Sequence, residues 1–256
     1  MSCVDGVPAL TGFLGDRSAM AGQTRGRTGK RIGRDVADRL LTTKGWLSQQ
    51  PVDFQRAVLN RSILEKFDAG EIIYRVGDSL GGIYGLVSGI ITINTAPKLV
   101  VPKLIHVAEP GQWTGEGCFL TRTPRRLELR ALVDTWMMHL PLSAMDQMAE
   151  NSPDNVRRFA AILMASTDVL IRIIHDLQIQ HSGQRIASVL HRAACCVGDA
   201  EIPMTQAEIG AMANASRKQV NAALQKFEAE GWVETNYRSL RVKDAKCLCA
   251  YSSSDD

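Results

Sequence analysis

Hydrophobic and polar positions change rhythm three times along the chain. Between Asp35 and Asn60 the apolar residues Val36, Leu40, Leu41, Trp46, Leu47, Phe54, Val58 and Leu59 recur every three or four positions, with breaks at Gly45 and Pro51. That spacing predicts two short helices. From Ile63 to Leu140 the runs shorten to EIIY (71–74), GIYGLV (82–87), GIITI (89–93), KLIHV (103–107) and TWMMHL (135–140). Asp68-Ala69-Gly70, Gly77-Asp78, Gly81-Gly82, Ser88-Gly89 and Pro110-Gly111 punctuate them. Short strands separated by glycine turns predict an all-β sandwich or jelly roll.

After Pro141 the period becomes helical again. Phe159, Leu163, Ser166, Leu170, Ile173, Leu177 and Gln180 follow a 4-3-4-3 series across residues 153–181. Such a series is the seam of a two-stranded coiled coil, so a homodimer is expected, with Phe159, Leu163, Leu170, Ile173 and Leu177 at its interface. The plainer alternative is a long amphipathic helix packed on its own chain. His175 and His181 lie on this helix without a cluster of metal-ligand partners and read as solvated or hydrogen-bonded side chains.

The last stretch carries the most specific pattern. QRIASVLHRAACCV (184–197) reads as one helix. Beyond it, Thr205 with Glu208 and Ser216 with Gln219 have the spacing of capping boxes, in which the N-cap hydroxyl and the side chain three positions on satisfy each other's backbone N–H. They predict one helix over Gln206 to Met212 and a second after Ser216. Between them Asn214, in Ala213-Asn214-Ala215, can take the left-handed conformation of a tight turn. Gly210, Ala211, Ala213 and Ala215 permit a close crossing, while Ile209, Val220, Leu224 and Phe227 bury one face, which makes a helix-turn-helix. Arg217, Lys218, Gln219, Asn221 and Gln225 then face outward, and such side chains pair with guanine (Arg, Lys) or adenine (Asn, Gln) edges. Thr205 and Ser216 set hydroxyls at helix N-termini, where a phosphate is favoured. Trp232 to Thr235 and Ser239 to Val242 alternate as a hairpin around Asn236-Tyr237-Arg238, a wing whose Arg238, Arg241 and Lys243 can meet phosphates.

Composition narrows the class. The chain has 256 residues and is 45% hydrophobic, enough for one large domain or two modest ones. No stretch approaches the roughly 18 uninterrupted apolar residues of a membrane span. The six cysteines (Cys3, Cys118, Cys195, Cys196, Cys247, Cys249) lack paired C-x-x-C spacing, and the first 35 residues lack the apolar core of a signal peptide. Reduced thiols and a cytoplasmic location are expected, with Cys195 and Cys196 read as small buried helix residues. The net charge is +3, yet residues 1–34 alone hold six basic and two acidic side chains. These residues read as a flexible basic tail, within which Met20 is an alternative start. Bulk charge therefore gives no argument for nucleic acid; the local pattern on the second helix does.

With those motifs in hand, residues 36–250 resemble the CRP/FNR family of bacterial regulators. TQAEIGAMANASRKQVNAALQKFEAEGWV is similar to the family's DNA-binding signature, and FDAGEIIYRVGD, GIYGLVSGIITI and PGQWTGEGCF are similar to its sensor half. The resemblance implies an α+β chain: a cyclic-nucleotide-binding-like β-roll over 35–150, a dimerisation helix over 151–182 and a winged helix-turn-helix over 183–256. It also implies a homodimer on a palindromic double-stranded operator with half-sites ~34 Å apart, RNA polymerase as a further partner, and an effector in the roll that biases the dimer helices.

Within the roll, Gly115 and Glu116 match the family's ribose-holding pair, and the resemblance assigns the phosphate arginine to Arg126. Leu127 replaces the hydroxyl expected next to it, Gly117 and Cys118 alter the turn, and Leu170 and Ile171 stand where cyclic-AMP binders carry hydroxyls. A cyclic nucleotide is thus a poor fit, and the effector is unknown; an ion pair between Glu116 and Arg126 closing the roll is the bland alternative. An iron-sulfur cluster is not expected, because only Cys3 precedes the roll, and haem would have to rely on the isolated His106 or His139. A cupin-like metal enzyme would need two or three histidines with a carboxylate in the roll. No catalytic or metal-binding residue is therefore expected.

Overall fold

Two helices lead into the roll, as their apolar spacing predicts. The computed structural model describes residues 32–95, 103–197, 201–237 and 239–254. The expected basic tail lies outside them up to residue 31. Helix α1 (Arg34–Thr43) already includes Arg34, whose guanidinium reaches the carbonyls of Leu59 and Ser62 at the end of α2 (Val52–Arg61). Arg34, counted with the tail in the sequence reading, is thus committed to the fold, and Ile32 already packs against the buried cluster of Trp46 and Phe54.

Among the described residues eight strands follow: β1 (Ile63–Phe67), β2 (Ile72–Tyr74), β3 (Ile83–Ser88), β4 (Ile91–Thr95), β5 (Lys103–Ala108), β6 (Trp113–Thr114), β7 (Glu128–Ala131) and β8 (Thr135–Leu140). They form two antiparallel sheets ordered β1-β8-β3-β6 and β2-β7-β4-β5. Leu86, Ile91, Ile93, Leu129, Ala108 and Met137 are buried in one cluster that draws on both sheets, as alternating strands require. A short helix α3 (Gly117–Thr121) interrupts the chain between β6 and β7.

Helix α4 (Leu142–Asn151) turns into the long α5 (Asp154–Gln178), which has two apolar faces. One is closed by the chain itself. Phe159 is fully buried among Trp46, Phe54 and Phe119, with ring centroids 5.2–6.1 Å apart, and Ile173 is also buried. The other face leaves Val156, Leu163, Leu170 and Leu177 exposed at strict intervals of seven, flanked by Met164, Ile171 and Ile174. This corrects the expected interface: Leu163, Leu170 and Leu177 are open to a partner, whereas Phe159 and Ile173 have spent their surface inside the chain. A single periodic series merged the two faces.

The C-terminal part comprises α6 (Ser182–Val197), α7 (Gln206–Ala213), α8 (Arg217–Ala229), a hairpin of β9 (Val233–Asn236) and β10 (Ser239–Val242), and α9 (Ala245–Ser252). Its core, with Ile186, Leu190, Ile209, Val220, Leu224 and Phe227, also takes in Ile90, Leu104 and Val107 from the roll. Asp176 of α5 and Arg192 of α6 form a buried ion pair at the junction. Cys195, expected to be buried, is instead exposed beside His191, because it lies off the apolar stripe of α6. No helix among the described residues is long and apolar enough to cross a membrane.

Candidate nucleic-acid interface

Both capping boxes are formed. Thr205 Oγ1 accepts the Glu208 N–H while the Glu208 carboxylate accepts the Thr205 N–H at 2.7 Å. Ser216 Oγ accepts the Gln219 N–H, and Gln219 Oε1 accepts the Ser216 N–H at 2.8 Å. Between the boxes Asn214 is left-handed, with φ 46°, and a Cβ on Gly210 would lie 2.8 Å from the Ala215 carbonyl oxygen. Local sequence thus sets the crossing of α7 and α8: the caps fix where each helix starts and the missing side chain lets the turn close.

On the outer side of α8, Ser216, Arg217, Lys218, Gln219, Asn221 and Gln225 are all exposed, while Val220, Ala223, Leu224 and Phe227 are buried. Arg217, Lys218 and Asn221 keep their polar ends free of the fold's cap bonds, whereas Gln219 commits one lone pair of its carbonyl oxygen to the Ser216 cap. Thr205 is half-buried and its hydroxyl also donates to Glu208. Arg238 lies outside the described residues.

The hairpin is anchored at both flanks by carboxylates that sequence reasoning did not single out. Glu228 of α8 accepts the Thr235 N–H at 2.9 Å and its hydroxyl at 2.6 Å, and these donors hold its carboxyl below the usual range. Glu201 accepts Asn236 Nδ2 at 2.8 Å and the Ser239 hydroxyl at 2.6 Å. Ile202 adds a strand-like bridge to Leu240, and Trp232 stacks on Phe227. Tyr237 is left 92% exposed at the tip. Between hairpin and helices lies a cavity of about 910 Å³, lined by Thr205, Asn214, Ser216, Arg217, Asn236 and Tyr237 among others. Polar and helix-terminal groups converging on a groove of this size can seat a phosphate backbone.

The roll places the effector residues differently from expectation. Glu116 is buried beside Gly115, where burial pushes its carboxyl up against the opposing pull of backbone N–H groups and Arg125. Arg126 is exposed, and Arg125 is the inward arginine, 6% exposed. Arg125 precedes β7, and it is held inward by backbone hydrogen bonds with Gly77 and Asp78 and by its guanidinium donating to the Gly82 and Gly115 carbonyls. Counting residues from Glu116 misses this. His106 is buried with Nε2 3.3 Å from Gln112 Oε1, and burial brings it down to about 4. His139 lies elsewhere, stacked on Tyr84 with Nδ1 3.2 Å from Glu65. The described residues contain no group of three or more His, Cys, Asp or Glu arranged to hold a metal.

Comparison with known proteins agrees with this architecture. The Crp-like helix-turn-helix domain matches residues 184–251 and the cyclic nucleotide-binding domain matches residues 64–152. A CRP-like cAMP-activated global transcriptional regulator of Mycobacterium tuberculosis is 22% identical over 206 residues, covering 78% of this chain and 86% of the relative. Among solved structures, a candidate cyclic nucleotide binding protein from Ruegeria pomeroyi superposes with TM-score 0.65 at 17% identity, covering 88% of this chain and 100% of that one. FixK2 from Bradyrhizobium japonicum does so with TM-score 0.63 at 16% identity, covering 76% and 99%. At these identities the structural likeness is one of fold.

Proposed function

The chain belongs to the CRP/FNR family of transcription regulators, and from that premise we infer that it binds a palindromic operator in double-stranded DNA as a homodimer. One observation carries the reading: a doubly capped helix pair exposes Arg217, Lys218 and Asn221 on one face beside a hairpin fixed by two carboxylates. Helix α8 enters the major groove with its capped N-terminus toward the sugar-phosphate chain. Arg217 and Lys218 donate to guanine O6 and N7, and Asn221 pairs with adenine N6 and N7. Ser216, Thr205, the hairpin and Arg238 hold the flanking phosphates and set the register without reading sequence.

The exposed heptad row Val156, Leu163, Leu170 and Leu177 supplies the face on which two α5 helices meet. Two recognition helices in one dimer read half-sites about one helical turn, ~34 Å, apart. The roll, at residues 35–150, is the regulatory part, RNA polymerase is the partner through which promoter activity responds, and the site of action is the cytoplasm.

Selection of binding sites from random duplex DNA tests this. The purified protein is expected to enrich a two-fold symmetric sequence, and Arg217→Ala to relax preference at one symmetric pair of positions at a cost of about 1–3 kcal/mol. Binding without sequence preference, unchanged by Arg217→Ala, overturns the assignment of α8.

A further inference from the structure

We propose that a cleft between the roll and α5 is the site of an uncharged two-ring aromatic molecule bearing one hydrogen-bonding group, and that this molecule is an effector of the regulator. The site rests on the geometry of the cleft alone; the effector role rests on the operator-binding reading above.

The inward row of α5 has a gap at its centre. Phe159, Ile162, Ser166, Val169 and Ile173 follow one another at steps of three and four residues, and Phe159, Ile162 and Ile173 are buried. Between them Ser166 offers only a hydroxymethyl group, and Ala161 and Ala165 beside it are no larger. What remains is a cleft of about 250 Å³, bounded on its other sides by the loop after α1 and the turn between β5 and β6.

The walls of the cleft are pinned. Trp46 donates its Nε1–H to the Arg158 carbonyl at 2.8 Å and packs on Phe54 and Phe159, with ring centroids at 5.9 and 6.1 Å. Trp113, edge-on to Trp46 at 5.5 Å, is buried as well. The two loops that carry these indoles touch through their backbones. A Cβ on Gly45 would run into the Gly111 carbonyl, and one on Gly111 would lie 2.9 Å from Lys44 Cγ. Walls held in this way do not close over the gap at Ser166.

The lining names the chemistry of the guest. Two indoles with the alkyl groups of Ile162 and Val169 favour a flat apolar body. An apolar cavity of roughly 150 Å³ takes benzene, so about 250 Å³ admits a second ring. At the rim Lys44 Nζ pairs with Glu109 Oε2 at 3.0 Å, so neither charge is left over for an ionic guest. The Ser166 hydroxyl and the Gln49 carboxamide, by contrast, make no hydrogen bond among the described residues and can hold one hydroxyl of the guest.

The position of the cleft supplies the link to DNA. Ser166 lies about three turns before Asp176, whose pair with Arg192 joins α5 to α6. A guest wedged between the roll and α5 thus bears on the helix that carries both the exposed heptad row and the junction with the reading helices. If it binds one arrangement of α5 better than another, it shifts the population toward that arrangement.

Titration calorimetry of the full chain with 2-naphthol and with 2-naphthoate tests the site. Saturable binding of 2-naphthol is expected, with 2-naphthoate weaker by about tenfold or more. Ser166→Leu, which completes the apolar row, is expected to abolish that binding and to leave the unfolding midpoint unchanged or higher. In the unmodified chain the methyl resonances of Ile162 and Val169 are expected to shift on adding 2-naphthol, a readout that needs no substitution. No saturable binding, methyl shifts confined to other residues, or binding that survives in a folded Ser166→Leu chain overturns the site; equal binding of 2-naphthoate overturns the uncharged class. Competition assays on the sequence selected from random duplex DNA test the effector role, where saturating 2-naphthol is expected to change affinity by about threefold or more. An unchanged affinity overturns that role and leaves the site standing. A chain that selects no sequence with or without 2-naphthol overturns the operator-binding reading and the effector role with it, while calorimetry still decides the site.

Discussion

Arg192, late in α6, pairs with Asp176, near the end of α5, with both side chains about nine-tenths removed from solvent. A buried pair of this kind contributes less than its Coulomb energy, because both charges have been desolvated, yet removing one member leaves the other costly to bury. Asp176→Leu alone is expected to lower unfolding free energy by about 3–5 kcal/mol. Asp176→Leu combined with Arg192→Met is expected to recover most of that loss in urea titrations. Additive losses in the double variant would show that the two side chains act separately.

The two faces of α5 separate by substitution. Phe159→Ala removes a ring packed against Trp46, Phe54 and Phe119 and is expected to cost about 3–5 kcal/mol of stability. Leu163→Glu, on the exposed row, is expected to leave the circular dichroism of the chain intact and to shift its sedimentation from dimer to monomer. A Leu163→Glu chain that still sediments as a dimer removes that row from the interface.

Glu228 and Glu201 are expected to matter for DNA through the hairpin they hold, although neither carboxylate is suited to touch a phosphate. Glu228→Ala frees Thr235, and Glu201→Ala frees Asn236 and Ser239. Each is expected to weaken binding to the selected sequence several-fold, in a competition assay, without altering which sequence is preferred. A changed preference would mean that the hairpin reads bases itself.

His106 makes the fold sensitive to acid. Burial, opposed by Gln112 and reinforced by the positive charge of Arg192, lowers it from the ordinary histidine value to about 4. The unfolded chain therefore takes up a proton near pH 6.5 that the folded chain refuses until about pH 4. The stabilisation is present above pH 6.5 and disappears as the pH falls across that window, at a total of about 3 kcal/mol. Urea titrations between pH 7.5 and 4.5 check this, and His106→Leu is expected to flatten the slope.

What the sequence made legible was local. Capping boxes span three residues and Asn214 needs only its own backbone, so the crossing of α7 and α8 follows from a string of letters. The short strands follow from runs and glycine turns in the same way. Arg125 was harder, because its inward direction depends on backbone hydrogen bonds with Gly77 and Asp78 and on carbonyls at Gly82 and Gly115, partners that the local sequence does not point to. Phe159 misled because a helix packed on its own roll and offered to a partner carries two apolar rows whose spacings interleave. Glu201 and Glu228 reach residues 35 and 7 positions away, and exposed glutamates announce nothing about such bonds.

Arg185 gathers four carbonyls: Ile179 and Gln180 just after α5, Ala213 and Asn214 at the turn between α7 and α8. One guanidinium thus staples the end of the long helix to the elbow of the reading head. The pose of the helix pair is thereby tied to the end of α5. In a dimer, the angle at which the two long helices cross becomes a ruler, and altering that angle by a few degrees retunes the spacing of operator the protein accepts.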